Sequence, residues 1–180
     1  MIIGIDISQI AYENTGVANF LSNLVENLVK QDSKNQYILF FASLRKQFPI
    51  SNFQFLNKSK YSNVQIKKFR IPPTLLDLIW NRLHIIPIEN FIGDVDVFIT
   101  SDWTEPPAKS AKKATILYDL IVFKYPNETD KKIIDVQKRK LKWVKKETDI
   151  VFCISESSKK DAVEILGLDP KKVEVIYPGL

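Results

Sequence analysis

The sequence is short of the residues that staple, hinge or coordinate: its 180 residues include one cysteine, one histidine, one methionine and five glycines. A lone thiol, Cys153, excludes an internal disulfide and fits a reducing compartment. Its place inside the apolar run 150–154 reads as a packed, inert group. The single histidine, His84, reads as structural, and neither a metal nor a cofactor is expected. No apolar run reaches membrane-spanning length, and residues 1–6 enter a strand without a basic leader. The expectation is therefore a cytoplasmic protein, soluble or resting on the inner face of a membrane. Internal repeats, low-complexity tracts and charged tails are also missing.

What remains suits one domain with a substantial core, since 45% of the residues are hydrophobic. Lys plus Arg number 26 against 21 for Asp plus Glu, and this net charge of +5 favours anionic partners such as phosphates, nucleotides or acidic headgroups. Nucleic acid is not expected, because the lysines gather on one segment without interleaved aromatic residues.

The last thirty residues spell out one structural unit. The run 150–154 has the continuous apolar, β-branched character of a strand buried on both faces. Ser155, Ser157 and Ser158 offer hydroxyls for a helix start, with Asp161 three residues after Ser158 as a near match to a capping box. The helix runs to Leu166, ends at Gly167 and is stopped by Asp169-Pro170. A second strand over 173–176 completes a βαβ crossover, so the two strands are parallel. Ser155 and Glu156 then lie at the carboxyl end of a strand and the amino end of a helix, where open α/β sheets take ligands.

The rest of the chain follows the same alternation. Strands are expected at 2–7, 36–42, 64–69, 95–100 and 114–118, with the third near an edge. An amphipathic helix starts at Gly16 and packs Val17, Phe20, Leu21, Leu24 and Leu28. Its start, Thr15-Gly16-Val17, is either a capped turn or a place where free amides meet a phosphate. Residues 43–62 read as a polar connection. Pro72-Pro73 opens a helix over 74–83 with Leu75, Leu76, Ile79 and Leu83 as its packed stripe and Trp80 flanking it, and a short helix follows Pro87. The loop 101–107, with Asp102, Trp103 and Glu105, has the polar and flat apolar groups of a sugar or nucleotide site, or forms a rigid surface turn. The helix 129–148 is strongly basic, and its lysines form a solvated face or a contact for anionic lipid. Seven strands alternating with helices predict a single doubly wound, mainly parallel α/β domain.

In this arrangement the chain resembles the amino-terminal half of a family 4 retaining glycosyltransferase of the two-domain GT-B fold. The resemblance rests on Ile3-Gly-Ile-Asp6 followed by Thr15-Gly-Val17, on the loop 100–107, on Tyr118-Asp-Leu120 with Tyr125-Pro126, and on Ile154-Ser-Glu-Ser-Ser-Lys159 through Val175-Ile-Tyr-Pro-Gly179. It implies a Rossmann-like lobe over residues 1–180 that binds the acceptor, with the domain boundary near 178–180 and a carboxyl-terminal lobe that holds most of the nucleotide-sugar donor. Transfer goes to a hydroxyl on a saccharide or lipid-linked acceptor with retention, in cell-surface glycan or polysaccharide synthesis, and this lobe alone is inactive. The resemblance places Tyr118 and Asp119 at the catalytic position, Thr15, Gly16, Val17, Ser155 and Glu156 at the donor diphosphate or cleft, and Asp102, Trp103 and Glu105 at the acceptor. Family members commonly carry a His-Asp pair where this chain has Tyr118-Asp119, and a tyrosine hydrogen-bonds without titrating near neutral pH. The rival readings are a nucleotide-sugar 2-epimerase lobe and a stand-alone binding or scaffold module.

Overall fold

The computed structural model describes residues 1–48 and 62–178. Most of the connection expected over 43–62 lies outside these residues, as does Gly179. Seven strands form one sheet: β1 (Ile2–Asp6), β2 (Gln36–Ala42), β3 (Val64–Phe69), β4 (Val97–Thr100), β5 (Lys112–Leu117), β6 (Ile150–Cys153) and β7 (Val173–Val175). Their order is β3-β2-β1-β4-β5-β6-β7, and every neighbouring pair is parallel. β1 is central, with Ile5 opposite Leu39 of β2 on one side and Ile99 of β4 on the other. The strand order reverses between β1 and β4, which opens a crevice at their carboxyl ends.

Side-chain alternation sends each strand's residues to two cores. On one face Ile5, Leu39, Phe41 and Ile116 pack against Leu21, Val25 and Val29 of α1 (Gly16–Gln31). On the other face Phe40, Ala42 and Phe98 meet Leu76 of α2 (Pro73–Leu76), Trp80, and Ile92 of α3 (Glu89–Ile92). A further cluster on β5 to β7 joins Leu120, ahead of α4 (Ile121–Lys124), to Leu141 and Val144 of α5 (Lys131–Glu147) and Ala162 of α6 (Glu156–Glu164). Cys153 is fully buried in that cluster, and burial pushes its thiol up to about 11. Gly4 of β1 has no room for a larger residue, because a Cβ there would lie 2.7 Å from the Phe98 ring and 2.8 Å from Ile92. That close approach seats α3 on the sheet.

The segment after Pro72-Pro73 departs from the expected helix. Four α-helical residues pass into a π-helical turn, Asp77–Arg82, in which Leu83 N–H reaches back to the Leu78 carbonyl at 2.9 Å. The packed side keeps Leu76 and Ile79 and adds Trp80, while Leu75 and Leu83 face outward. Trp80 is 0% exposed, and a side chain of its size contributes about 2–3 kcal/mol by leaving water. Its indole N–H donates to the Ile86 carbonyl at 3.0 Å. Asp77 ties this turn to α5: it accepts from Arg139 Nη2 at 2.8 Å, Arg82 Nε at 3.0 Å and Asn81 Nδ2 at 3.0 Å. Burial acts to raise the Asp77 pKa, and these donors together hold it below its ordinary value.

His84 is structural. Its Nδ1 lies 2.8 Å from the Trp80 carbonyl, its Nε2 lies 2.9 Å from Glu147 Oε2, and its ring stacks on Trp143 at 3.6 Å. The closing βαβ unit starts one turn earlier than the Ser158–Asp161 spacing suggests. Ser155 is the N-cap, its Oγ accepting from Ser158 N–H at 3.0 Å. Gly167, at φ 64, ends the helical course as expected.

Candidate active site at the carboxyl edge of the sheet

The first turn of α1 follows directly from its sequence. Thr15, in extended backbone, accepts from Ala18 N–H at 3.2 Å, and Asn19 N–H bonds the Thr15 carbonyl at 3.0 Å. Helix geometry leaves the Gly16 and Val17 amides pointing out of the helix start. A Cβ built on Gly16 would meet nothing within 4 Å, so the space beside its Cα is open. That space belongs to a cleft of about 840 Å³. Gly16, Val17, Asn19 and Phe20 form one wall of it, and Tyr118, Asp119, Ile154 and Tyr177 contribute the opposite side.

Tyr118 closes the end of β5. Its ring meets Phe20 edge-on at 5.6 Å, and its hydroxyl lies 3.2 Å from Ser101 Oγ. Burial, reinforced by the negative charges of Asp102 and Asp6, raises its pKa, so the phenol keeps its proton at every physiological pH. Asp119 is exposed at the cleft and accepts from Ile121 N–H at 3.0 Å, which fixes the turn into α4. The structure thus brings Gly16, Val17, Tyr118 and Asp119 to one cleft, with Thr15 capping the helix behind them.

Ser155 and Glu156 stand apart from these four. Ser155 Oγ is engaged by Ser158, with its N–H at 3.0 Å and its Oγ at 3.0 Å. Ser158 Oγ in turn donates to the Tyr118 carbonyl at 2.8 Å. Ser155 therefore braces the Tyr118 backbone through Ser158 and does not line the cleft, while Glu156 is exposed at the start of α6.

The loop after β4 is folded inward. Glu105, expected at the acceptor, is 0% exposed: it accepts from Thr100 Oγ1 at 2.6 Å and pairs with Lys113 Nζ at 3.0 Å. A carboxylate sealed in this way cannot touch an acceptor, and it leaves the candidate set. Trp103 is half-buried, donates from Nε1 to Gln9 Oε1 at 2.9 Å, and lines two hollows of about 230 and 540 Å³. Asp102 is held by Gln137 Nε2 at 3.1 Å, and burial, with a smaller push from Asp119, raises its pKa.

Beneath Tyr118 lies a charge cluster absent from the sequence-based set. Lys140 of α5 is buried, donating to the Ser101 carbonyl and, at 3.0 Å, to Thr115 Oγ1. Burial lowers its pKa, against the pull of Glu105, Asp102 and Asp6. Asp6, buried at the end of β1, accepts from Ser8 N–H at 2.9 Å, and burial raises its pKa. Two sequence signals mark these residues: Asp6 ends an apolar run, and Lys140 falls midway between Val136 and Val144 at helical spacing. Among the described residues no group of three or more His, Cys, Asp or Glu side chains is placed to hold a metal ion, and no helix is long and apolar enough to cross a membrane.

Known proteins resemble the chain in fold and in family. No curated protein matches the chain. Among solved structures, Anabaena Alr3699/HepE in complex with UDP is similar in fold, with a TM-score of 0.51 at 12% identity. The match covers 99% of this chain and 44% of the HepE chain, so the chain spans less than half of that relative. Phytolacca americana UGT2, complexed with UDP-2fluoro-glucose and pterostilbene, gives a TM-score of 0.49 at 12% identity, over 99% of this chain and 52% of that one. The seven-stranded parallel sheet has the Rossmann-like fold of the lobes of GT-B glycosyltransferases. The Glycosyltransferase Family 4 profile matches residues 14–180, and the chain belongs to that family.

Proposed function

We propose that this chain is the acceptor-side lobe of an enzyme that moves a sugar from a nucleoside diphosphate donor to a hydroxyl acceptor with retention at the anomeric carbon. A second lobe, following the boundary near 178–180, would hold most of the donor, and the 44% coverage of HepE is in keeping with that arrangement. The observation that carries the reading is the meeting of the α1 start, at Gly16 and Val17, with Tyr118 and Asp119 across one cleft.

The chemical difficulty in such a transfer is the charge gathering on the departing diphosphate. Fixed N–H donors at a helix start meet that charge without reorganising, which is where electrostatic catalysis is most effective. Tyr118, protonated throughout, supplies a hydrogen bond and no acid–base step. Trp103 offers the acceptor a flat apolar surface, with Asp102 on the same loop. A saccharide or lipid-linked acceptor, a cytoplasmic site resting on a membrane, and a role in cell-surface glycan or polysaccharide synthesis complete the proposal. The lobe by itself is expected to be inactive.

The test is turnover of a panel of nucleoside diphosphate sugars by the full-length enzyme, with the anomeric configuration of the product read by NMR. Acceptor-dependent nucleotide release with retained configuration is expected. An inverted product, or a sugar epimerised on its nucleotide, would sink the reading.

A further inference from the structure

The loop after β4 turns Glu105 inward and sets Trp103 beside the smaller of its two hollows, about 230 Å³ in volume. This hollow stands where the strand order reverses, at the carboxyl ends of β1 and β4, and residues of β2 and α2 complete its lining. Asp6 lines it while only 5% exposed. Its Oδ1 accepts from Ser8 N–H at 2.9 Å, and its second oxygen meets no donor among the described residues. Glu105 is the opposite case, closed in by Thr100 and Lys113. A nearly buried carboxyl left half-satisfied beside open space is costly to keep dry, so it calls for a donor from outside the fold.

Two further polar groups of the lining are unpaired among the described residues. An indole N–H can only donate, so the 2.9 Å bond from Trp103 fixes the Gln9 amide with its oxygen toward the ring and leaves its NH2 free. The hydroxyl of Thr104, a residue 5% exposed, has no hydrogen-bond partner either. A carboxyl oxygen, an amide donor and a hydroxyl therefore share one small space with the Trp103 indole and the apolar side chain of Leu76. A sugar ring offers the complement to both kinds of surface. Its hydroxyls donate to a carboxylate and accept from an amide, and its C–H faces lie against an aromatic plane.

Size and charge narrow the occupant further. Pockets for drug-sized ligands run to about 300–1,000 Å³, so this hollow suits one ring rather than a nucleotide or an extended chain. Its lining contains no lysine or arginine, whereas the neighbouring hollow of about 540 Å³ carries Arg82, Lys132 and Arg139. An anionic ring would thus face Asp6 without a cation to offset it.

We propose that this hollow is the acceptor subsite for one uncharged sugar ring, with Asp6 and Gln9 binding its hydroxyls and Trp103 lying against one of its faces. The inference rests on the glycosyl-transfer reading and narrows the acceptor to a saccharide. Sugar binding without donor reads the subsite, and product configuration reads the transfer, so the two fail separately.

The experiment is saturation-transfer NMR on the purified full-length enzyme without nucleotide. The probes are the methyl glycosides of glucose, galactose, mannose, N-acetylglucosamine and glucuronic acid, with the dissociation constant of the strongest binder taken from a titration. Binding of at least one neutral glycoside, and not of the glucuronide, is expected. Asp6→Asn keeps an oxygen for Ser8 N–H and turns the other into a donor, and it should weaken the binding about thirtyfold. Gln9→Ala, which leaves Asp6 and its bond to Ser8 in place, should weaken it about fivefold. Failure of every neutral glycoside, tighter binding of the glucuronide, or an affinity that either folded variant leaves unchanged overturns the proposal. If the neutral glycosides fail while sugar still passes to an acyclic alcohol, the transfer reading stands and the subsite falls.

Discussion

The rim of the cleft and the interior beneath it are built on opposite principles. At the rim, the polar groups are open to the cleft: Thr15 caps α1, nothing crowds the Cα of Gly16, and Asn19 and Asp119 line the walls. Beneath Tyr118 they are sealed, with Lys140, Glu105 and Lys113 all buried among Thr100, Thr115 and Ser101. The rim is cheap to form and available to a ligand, whereas the interior is available to nothing and holds the loop after β4 in place. A residue's charge is therefore a poor guide to its exposure here.

The sharpest way to break the contrast is Lys140→Met. It removes the only ammonium that reaches the Ser101 carbonyl among the described residues and leaves Asp6, Asp102 and Glu105 less compensated. The expected cost is about 3 kcal/mol of stability, read by denaturant unfolding, because an unbalanced buried charge is left behind. A stability equal to wild type would mean that the interior cluster is dispensable.

At the rim the expectation reverses. Gly16→Val in the full-length enzyme should leave the melting temperature nearly unchanged, since a Cβ meets no neighbour, while kcat/KM falls on the order of 100-fold as the new side chain occupies the ligand's approach. Equal losses of stability and turnover would remove the distinction between the two regions. The smallest effect belongs to the seam between them. Ser158→Ala deletes the bond to the Tyr118 carbonyl and its contact with Ser155, and should cost about 1 kcal/mol in thermal unfolding. A fall in turnover larger than the fall in stability would show that Tyr118 needs this brace for function.

How much of this was legible in the sequence follows from the same contrast. The seven strands, their parallel course and the meeting of Gly16 with Tyr118 come from local signals: apolar runs, a hydroxyl cap, a glycine, and a crossover that leaves one arrangement. Glu105 was misplaced because its partner Lys113 lies on the next strand, and nothing in a loop rich in proline and aromatics announces that it turns inward. Lys140 was hidden among the lysines of its helix, though its spacing from Val136 and Val144 puts it on the apolar side. Of the stripe expected at Leu75, Leu76, Ile79 and Leu83, Leu76 and Ile79 pack inward, and Leu75 and Leu83 do not. A 3.6-residue period cannot foresee a π turn, beyond which Trp80 joins the core and Leu83 faces outward.

Cys153 gives this fold a reporter of its own. Only a thiolate attacks a disulfide reagent, and this sulfur is both sealed off and reluctant to ionise, titrating at about 11. Labelling at neutral pH must therefore wait until β6 parts from α5 and α6, and with one such group in the whole sequence the colour that develops counts those openings alone. Each substitution above can then be ranked by how often the closing βαβ unit comes undone in the native state, with no reporter residue introduced for the purpose.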